Sequence, residues 1–246
     1  MAGLVLALNG LVGNPFSRMA ARAAARQLIA EQWPDLELEI ADVGYNFKTG
    51  GYSVRVESGA SIDTRFTLEY DSFGRGGLYG TLDDWRRQNA IARAERQYRA
   101  QCEELLAPFE IAEADFAYGT LWNEWYTGTP AWAQPDAVFD TAALGRTEGQ
   151  LVVYVTDDRM NAEAAARWLL RLRQAFDAAG VGFARVDLVL MEPHTVGERY
   201  GQISLRGVRY EDIAEDGLTE RAAQYIADTA AYYAAEDEKA AQAGAE

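Results

Sequence analysis

Between Leu36 and Tyr70 the chain alternates apolar and polar residues in three consecutive runs, a pattern few folds accept. Leu36, Leu38 and Ile40 are interleaved with Glu37 and Glu39, and Tyr52, Val54 and Val56 with Ser53, Arg55 and Glu57. Ile62, Thr64, Phe66, Leu68 and Tyr70 make the third run. A period of two places alternate side chains on opposite faces, so each run reads as a strand with one buried face. Gly50-Gly51 between the first two supplies the positive φ of a tight hairpin. The stretch predicts an antiparallel meander whose apolar face needs helices over it. Apolar positions are even up to Ile40 and odd from Val43 to Phe47, which predicts a β-bulge at Ala41-Asp42.

The flanking segments have helical periods. Asn14-Pro15-Phe16-Ser17 opens a helix that Pro34 must stop. Phe16, Ala20, Ala24 and Leu28 are its expected buried stripe, with Ile29 and Trp33 beside it. Arg18, Arg22 and Arg26 recur every fourth residue on another face, read as solvated rather than as an anion site. Gly74–Gly80 is a glycine-rich turn but not a phosphate loop, because no Gly-Lys-Ser/Thr follows. Thr81 caps the next helix, with Asp83 and Asp84 in its first turn. Its expected buried stripe is Trp85, Ile91, Tyr98, Cys102 and Leu105, which makes Cys102 a core residue rather than a nucleophile.

Phe109 to Pro135 is rich in aromatic residues and broken by Gly119, Gly128 and Pro130, so it reads as an aromatic wedge between two halves. Ala137–Phe139 reads as a short strand and Leu151–Val155 as a central one. Asn161 starts a helix with the stripe Ala165, Leu169, Leu172 and Phe176, and Gly180 ends it. Val186, Leu188 and Leu190 alternate as a strand, and Ile203 to Tyr210 as another with a phase flip at Gly207. Leu218, Ala222, Tyr225, Ile226 and Thr229 mark a last helix, expected to fray from Glu236 onward.

The expected fold is α+β, with two small antiparallel sheets each covered by two helices. A diverged duplication of residues 16–106 and 161–234 would account for the similar order of elements. The expected organisation is an apolar leader over 1–13, an N-terminal half over 14–108 and an aromatic-rich connector over 109–135. A C-terminal half over 136–235 and a frayed tail over 236–246 complete it.

With a formal charge of −15, the chain repels phosphate backbones and anionic lipid headgroups, so neither nucleic acid nor peripheral membrane binding is expected. The single cysteine excludes an internal disulfide, and the single histidine, His194, excludes a multi-histidine metal centre. Neither metal nor cofactor is expected. Leu4 to Val12 is apolar apart from Asn9 and Gly10. From Met1 to Gly13 a helix would extend ~20 Å, against a hydrocarbon core of ~30 Å. The run is therefore either packed on the protein's own core or the distal part of a membrane anchor that begins upstream of Met1. Arg18, Arg22 and Arg26 favour the cytoplasmic side in the second case, unless more cations precede the run.

Gly13-Asn14-Pro15-Phe16-Ser17, the Tyr45…Gly51-Tyr52-Ser53-Val54 hairpin and Asp63-Thr64-Arg65-Phe66 resemble the YfjL-like proteins of Gram-positive bacteria. The glycine-rich turn, Asp83-Asp84-Trp85, Arg93 to Tyr98 and the strand-helix-strand Leu151–Met191 fit the same resemblance. It implies a single membrane helix just before the Asn-Pro motif and a globular part outside the membrane. It carries no catalytic residues over to this chain.

Two functions are weighed. One is a non-catalytic interaction or sensing module at the cell envelope, meeting a protein or small ligand. The alternative is a hydrolase acting on a sugar or peptide in an aromatic-lined cleft, with Asp115 and Glu124 as carboxylates and Trp122 and Trp125 as ligand-stacking rings. His194, in a Glu-Pro-His-Thr loop, is a further acid-base candidate. The cell membrane, with an extracytoplasmic domain, is the expected location; the cytoplasm is the alternative if Met1 is the true start.

Overall fold

A computed structural model describes residues 13–109, 117–121, 130–193 and 201–243. The chain divides into two compact units, residues 1–93 with 127–138, and residues 94–126 with 139–246. Helix α2 (Leu82–Leu106) gives residues to both.

The first unit is the meander with helix α1 (Pro15–Gln32) over it. Strands β1 (Leu38–Asn46), β2 (Gly51–Ser58), β3 (Arg65–Tyr70) and β4 (Gly76–Leu78) pair in sequence order, all antiparallel. The expected bulge is present, since the β1–β2 register shifts between Ile40 and Asp42. Tyr52, Val54, Val56, Phe66, Leu68 and Tyr70 turn to the same face and are buried. Removing each large apolar side chain from water contributes roughly 1.5–3 kcal/mol, which drives this half of the fold.

The sequence expectation needs two corrections here. The glycine-rich turn holds a fourth strand, β4, hidden because Gly76 and Gly77 have no side chain to show alternation. Gly76 has φ 153°, and a Cβ there would strike the Glu69 carbonyl. The buried stripe of α1 is also shifted by one residue. Ala21 and Ala25 are fully buried, whereas Phe16 is exposed. Small residues let the helix approach the sheet closely, and that contact overrides the hydrophobicity of Phe16.

In the second unit, β5 (Ala117–Thr120), β6 (Gln150–Thr156), β7 (Arg185–Met191) and β8 (Gln202–Arg209) form a sheet in that order. Helices α3 (Thr141–Glu148), α4 (Ala162–Ala179) and α5 (Leu218–Ala243) complete it. The sheet is mixed rather than antiparallel, since β6 and β7 run parallel. Helix α4 lies between them in sequence and returns the chain to the starting end of the sheet, which is what a parallel neighbour requires. The first sheet contains no such crossover, so a duplication is not repeated in topology.

Leu151, Val153 and Val155 from β6, with Val186, Leu188 and Leu190 from β7, are buried together with Ala165, Leu169, Leu172 and Phe176 of α4. Helix α4 has the predicted caps: Asn161 Oδ1 accepts from the Ala164 amide at 2.9 Å, and Gly180 is left-handed. Residues 137–139 are not a strand. The edge position goes instead to β5, inside the aromatic segment. Helix α5 does not stop at Glu236 but continues to Ala243, because its alanine-rich end favours helix without a packing partner.

Tyr98 organises the second unit's interior. Its ring is fully buried, and its hydroxyl donates to the Gly182 carbonyl at 2.8 Å. Gly119, Gly145 and Gly149 line the ring so closely that a Cβ on any of them would collide with it or its neighbours. Cys102 is buried beside it, and burial pushes its thiol up to about 12. It is the inert core residue expected.

Candidate functional site

Asp115, Trp122, Glu124, Trp125 and His194 lie outside the described residues, and so does most of the aromatic wedge. The described chain holds two other chemically distinctive places, both in the first unit.

The first is an ion cluster where the β2–β3 turn, the start of α2 and residues 136–137 meet. Asp63 is fully buried and takes both oxygens to Arg93, from Nε at 3.0 Å and from a terminal nitrogen at 2.7 Å. The Asp136 amide donates to the same carboxylate at 2.8 Å, and Arg93 also donates to the Ala137 carbonyl at 2.9 Å. The Asp136 carboxylate accepts from Ser61 Oγ at 2.8 Å, from the Asp63 amide at 3.2 Å and from Arg86 at 3.2 Å. Asp136 has φ 61°, the one positive-φ residue besides glycine among those described.

Burial raises the pKa of both carboxyls, but the hydrogen bonds outweigh it. Asp63 is held below its ordinary value by Arg93 and the Asp136 amide, and Asp136 by Ser61, the Asp63 amide and Arg86. Both are ionised and saturated with donors, an arrangement suited to holding a loop rather than moving a proton. Sequence reasoning missed it because Asp63 and Asp136 are 73 positions apart. The one local signal was Asp63-Thr64-Arg65, an acid amid a strand pattern.

The second place is a groove of about 380 Å³ along the outer side of α1 and the edge strand β1. Ile29, Trp33, Leu36, Leu38 and Ile40 give it apolar walls, and Trp33 packs edge-on against Phe66 at 5.2 Å. Arg22 and Arg26, two members of the ladder read as a solvated face, stand at its rim with Glu39. Among the described residues β1 ends the sheet, so its outer side has no neighbouring strand there. The groove combines an apolar floor, two guanidinium groups and a strand edge.

Among the described residues no group of histidine, cysteine or carboxylate side chains is placed to hold a metal ion. No helix among them is long and apolar enough to cross a membrane.

Residues 1–79 match the family described as YfjL-like, N-terminal domain. Over this N-terminal third the chain is similar to YfjL-like proteins. The match takes in the Asn14-Pro15 opening, α1 and all four strands of the first sheet, so both the groove and Asp63 lie within the matched residues. Arg93 and Asp136 lie beyond it. No curated protein and no solved structure matches the chain.

Proposed function

We propose that this protein is an interaction module displayed at the bacterial cell envelope, with Leu4–Val12 part of a single N-terminal membrane anchor. The observation that carries the interaction reading is the groove between α1 and β1. Its occupant is an extended polypeptide segment bearing a carboxylate. The free edge of β1 offers backbone hydrogen bonds, Trp33 and Ile29 an apolar floor, and Arg22 with Arg26 a seat for the negative charge.

The anchor reading is supported by how the apolar run enters the fold. Asn14 donates its amide to the Tyr52 hydroxyl at 2.7 Å, and that hydroxyl donates back to the Asn14 carbonyl at 3.0 Å. The Asn14 side chain caps α1 by accepting from the Phe16 amide at 2.9 Å. Gly13, at φ 81°, lies against the Tyr45 ring, where a Cβ would not fit. Residues 13 and 14 are thus clamped to the sheet, a firm attachment point for an anchor.

Titrating the full chain with short peptides that pair leucine or valine with a terminal aspartate or glutamate tests the groove. Saturable binding that is lost in the double variant Arg22→Glu, Arg26→Glu is the expected result. Binding that is indifferent to those charges, or none from any such peptide, contradicts it.

A further inference from the structure

We infer that the end of the first unit carrying the Asn14 junction sits in the interfacial layer of a lipid bilayer, with Phe16, Phe47 and Phe73 placed among the headgroups. The inference rests on the anchor reading above and adds the surface that the folded unit itself presents. Three elements come together at this end. Asn14 is clamped to Tyr52 at the start of β2, and Ser72 Oγ donates to the Gly50 carbonyl at 3.1 Å, joining the β1–β2 and β3–β4 turns. Gly74 packs so close to α1 that a Cβ would stand 3.3 Å from the Ala20 carbonyl oxygen.

Each of these elements turns a large apolar side chain outward. Phe16 is 81% exposed and Met19 68% on α1, Phe47 62% on the first turn and Phe73 79% on the second. The unit's other exposed large apolar residues are Leu36, Ile62, Tyr79 and Val138, none of them a phenylalanine, and Ile62 and Val138 flank the Asp63–Asp136 cluster.

Charge distinguishes this end from its opposite. Arg18, Lys48 and Arg75 here balance Asp42, Glu69 and Asp71, and Arg18 pairs with Asp42 at 3.7 Å. At the opposite end Glu31, Asp35, Glu37, Glu39 and Glu57 gather against Arg65, the partner of Glu57 in the β2–β3 register, and leave that end net acidic. In a chain of net charge −15, the balanced end is the one that approaches headgroups with least repulsion. Lys48 follows Phe47, and the Arg75 guanidinium lies 5.3 Å from the Phe73 ring centroid. Cations on long stems beside an inserted ring reach back to phosphate.

A bilayer suits this surface better than a second copy of the chain. The rings stand on separate elements, two of them at turn tips, rather than forming one flat patch. The described fold begins here, at Gly13 and the Asn14–Tyr52 contact, so an anchor preceding it would bring its bilayer against these turns. Side chains at such a contact reach roughly 5–10 Å into the boundary between headgroups and acyl chains.

Site-specific fluorescence on the full chain tests the inference. Cys102 is fully buried and its thiol is raised to about 12, so an added surface cysteine labels selectively. Thr49→Cys and Ser72→Cys place a probe in the two turns, and Ala60→Cys places one at the opposite end. The labelled chain is reconstituted in phosphatidylcholine–phosphatidylglycerol vesicles carrying shallow nitroxide lipids. Strong quenching at 49 and 72, little at 60, and relief of quenching at 72 by Phe47→Ser with Phe16→Ser is the expected pattern. Equal quenching at all three positions in vesicle-bound protein overturns the inference while leaving the anchor standing. Failure to join vesicles at all overturns the inference, while the anchor reading is decided separately by membrane fractionation of the protein expressed from its own gene. Self-quenching between labelled copies, whether or not vesicles are present, replaces the bilayer with a second copy of the chain.

Discussion

Asp63 shows how one residue can hold a long connection in place. Its carboxylate binds the β2–β3 turn, Arg93 and the Asp136 amide together, with its side chain 1% exposed. Asp63→Ala strands the Arg93 guanidinium, and the loss expected from breaking a buried pair is about 3–5 kcal/mol, measurable by urea unfolding. Acid acts on the same bonds. Both carboxyls titrate below their ordinary range when folded, so their stabilisation is complete above about pH 4, the unfolded value. It is lost as pH falls through the folded values. Below about pH 4 the unfolding midpoint of the wild type should therefore drop more steeply than that of Asp63→Asn, which retains the shape but not the charge. Equal slopes would mean that other carboxylates govern acid unfolding. The sequence shows the acid but not its partners, since hydrogen bonding across 73 positions leaves no local period.

At the scale of elements, legibility follows the strength of the periodic signal. Helix α4 is read correctly from its caps and its apolar stripe, because Ala165, Leu169, Leu172 and Phe176 all bury the same face. Strands β1 to β3 and the bulge at Ile40/Asp42 follow from alternation alone. Where side chains are small the signal fades. β4 and β5 contain glycine, and α3 (Thr141–Glu148) is short and turns its buried Gly145 toward Tyr98. The parallel β6–β7 pair was legible in its parts, a strand, a helix and a strand, but the direction of pairing was not. Phe176 packs edge-on to Phe183 at 5.4 Å within the α4 face, and Phe176→Ala is expected to destabilise the second unit by about 3–5 kcal/mol in thermal or urea unfolding. A loss below about 1 kcal/mol would show that this face is not a packed core.

For the whole molecule, an apolar N-terminal sequence precedes a unit similar to YfjL-like N-terminal domains, whose first described residues are clamped to the sheet and whose flank carries a groove. The candidate site read from the sequence, Asp115 and Glu124 among tryptophans, lies outside the described residues, and the groove was not anticipated. Its walls come from three neighbouring stretches, the end of α1, the turn at Pro34 and the start of β1, each of which reads by itself as ordinary half-buried surface. Display at the envelope is the claim that decides which partners such a groove can meet. The direct measurement expresses the protein from its own gene, separates membranes from soluble extract, washes them with alkaline carbonate and then treats intact cells with protease. The account predicts a protein that stays with the carbonate-washed membranes and is cut from outside intact cells. Recovery in the soluble extract, or full protection in intact cells but not in lysed ones, would contradict it.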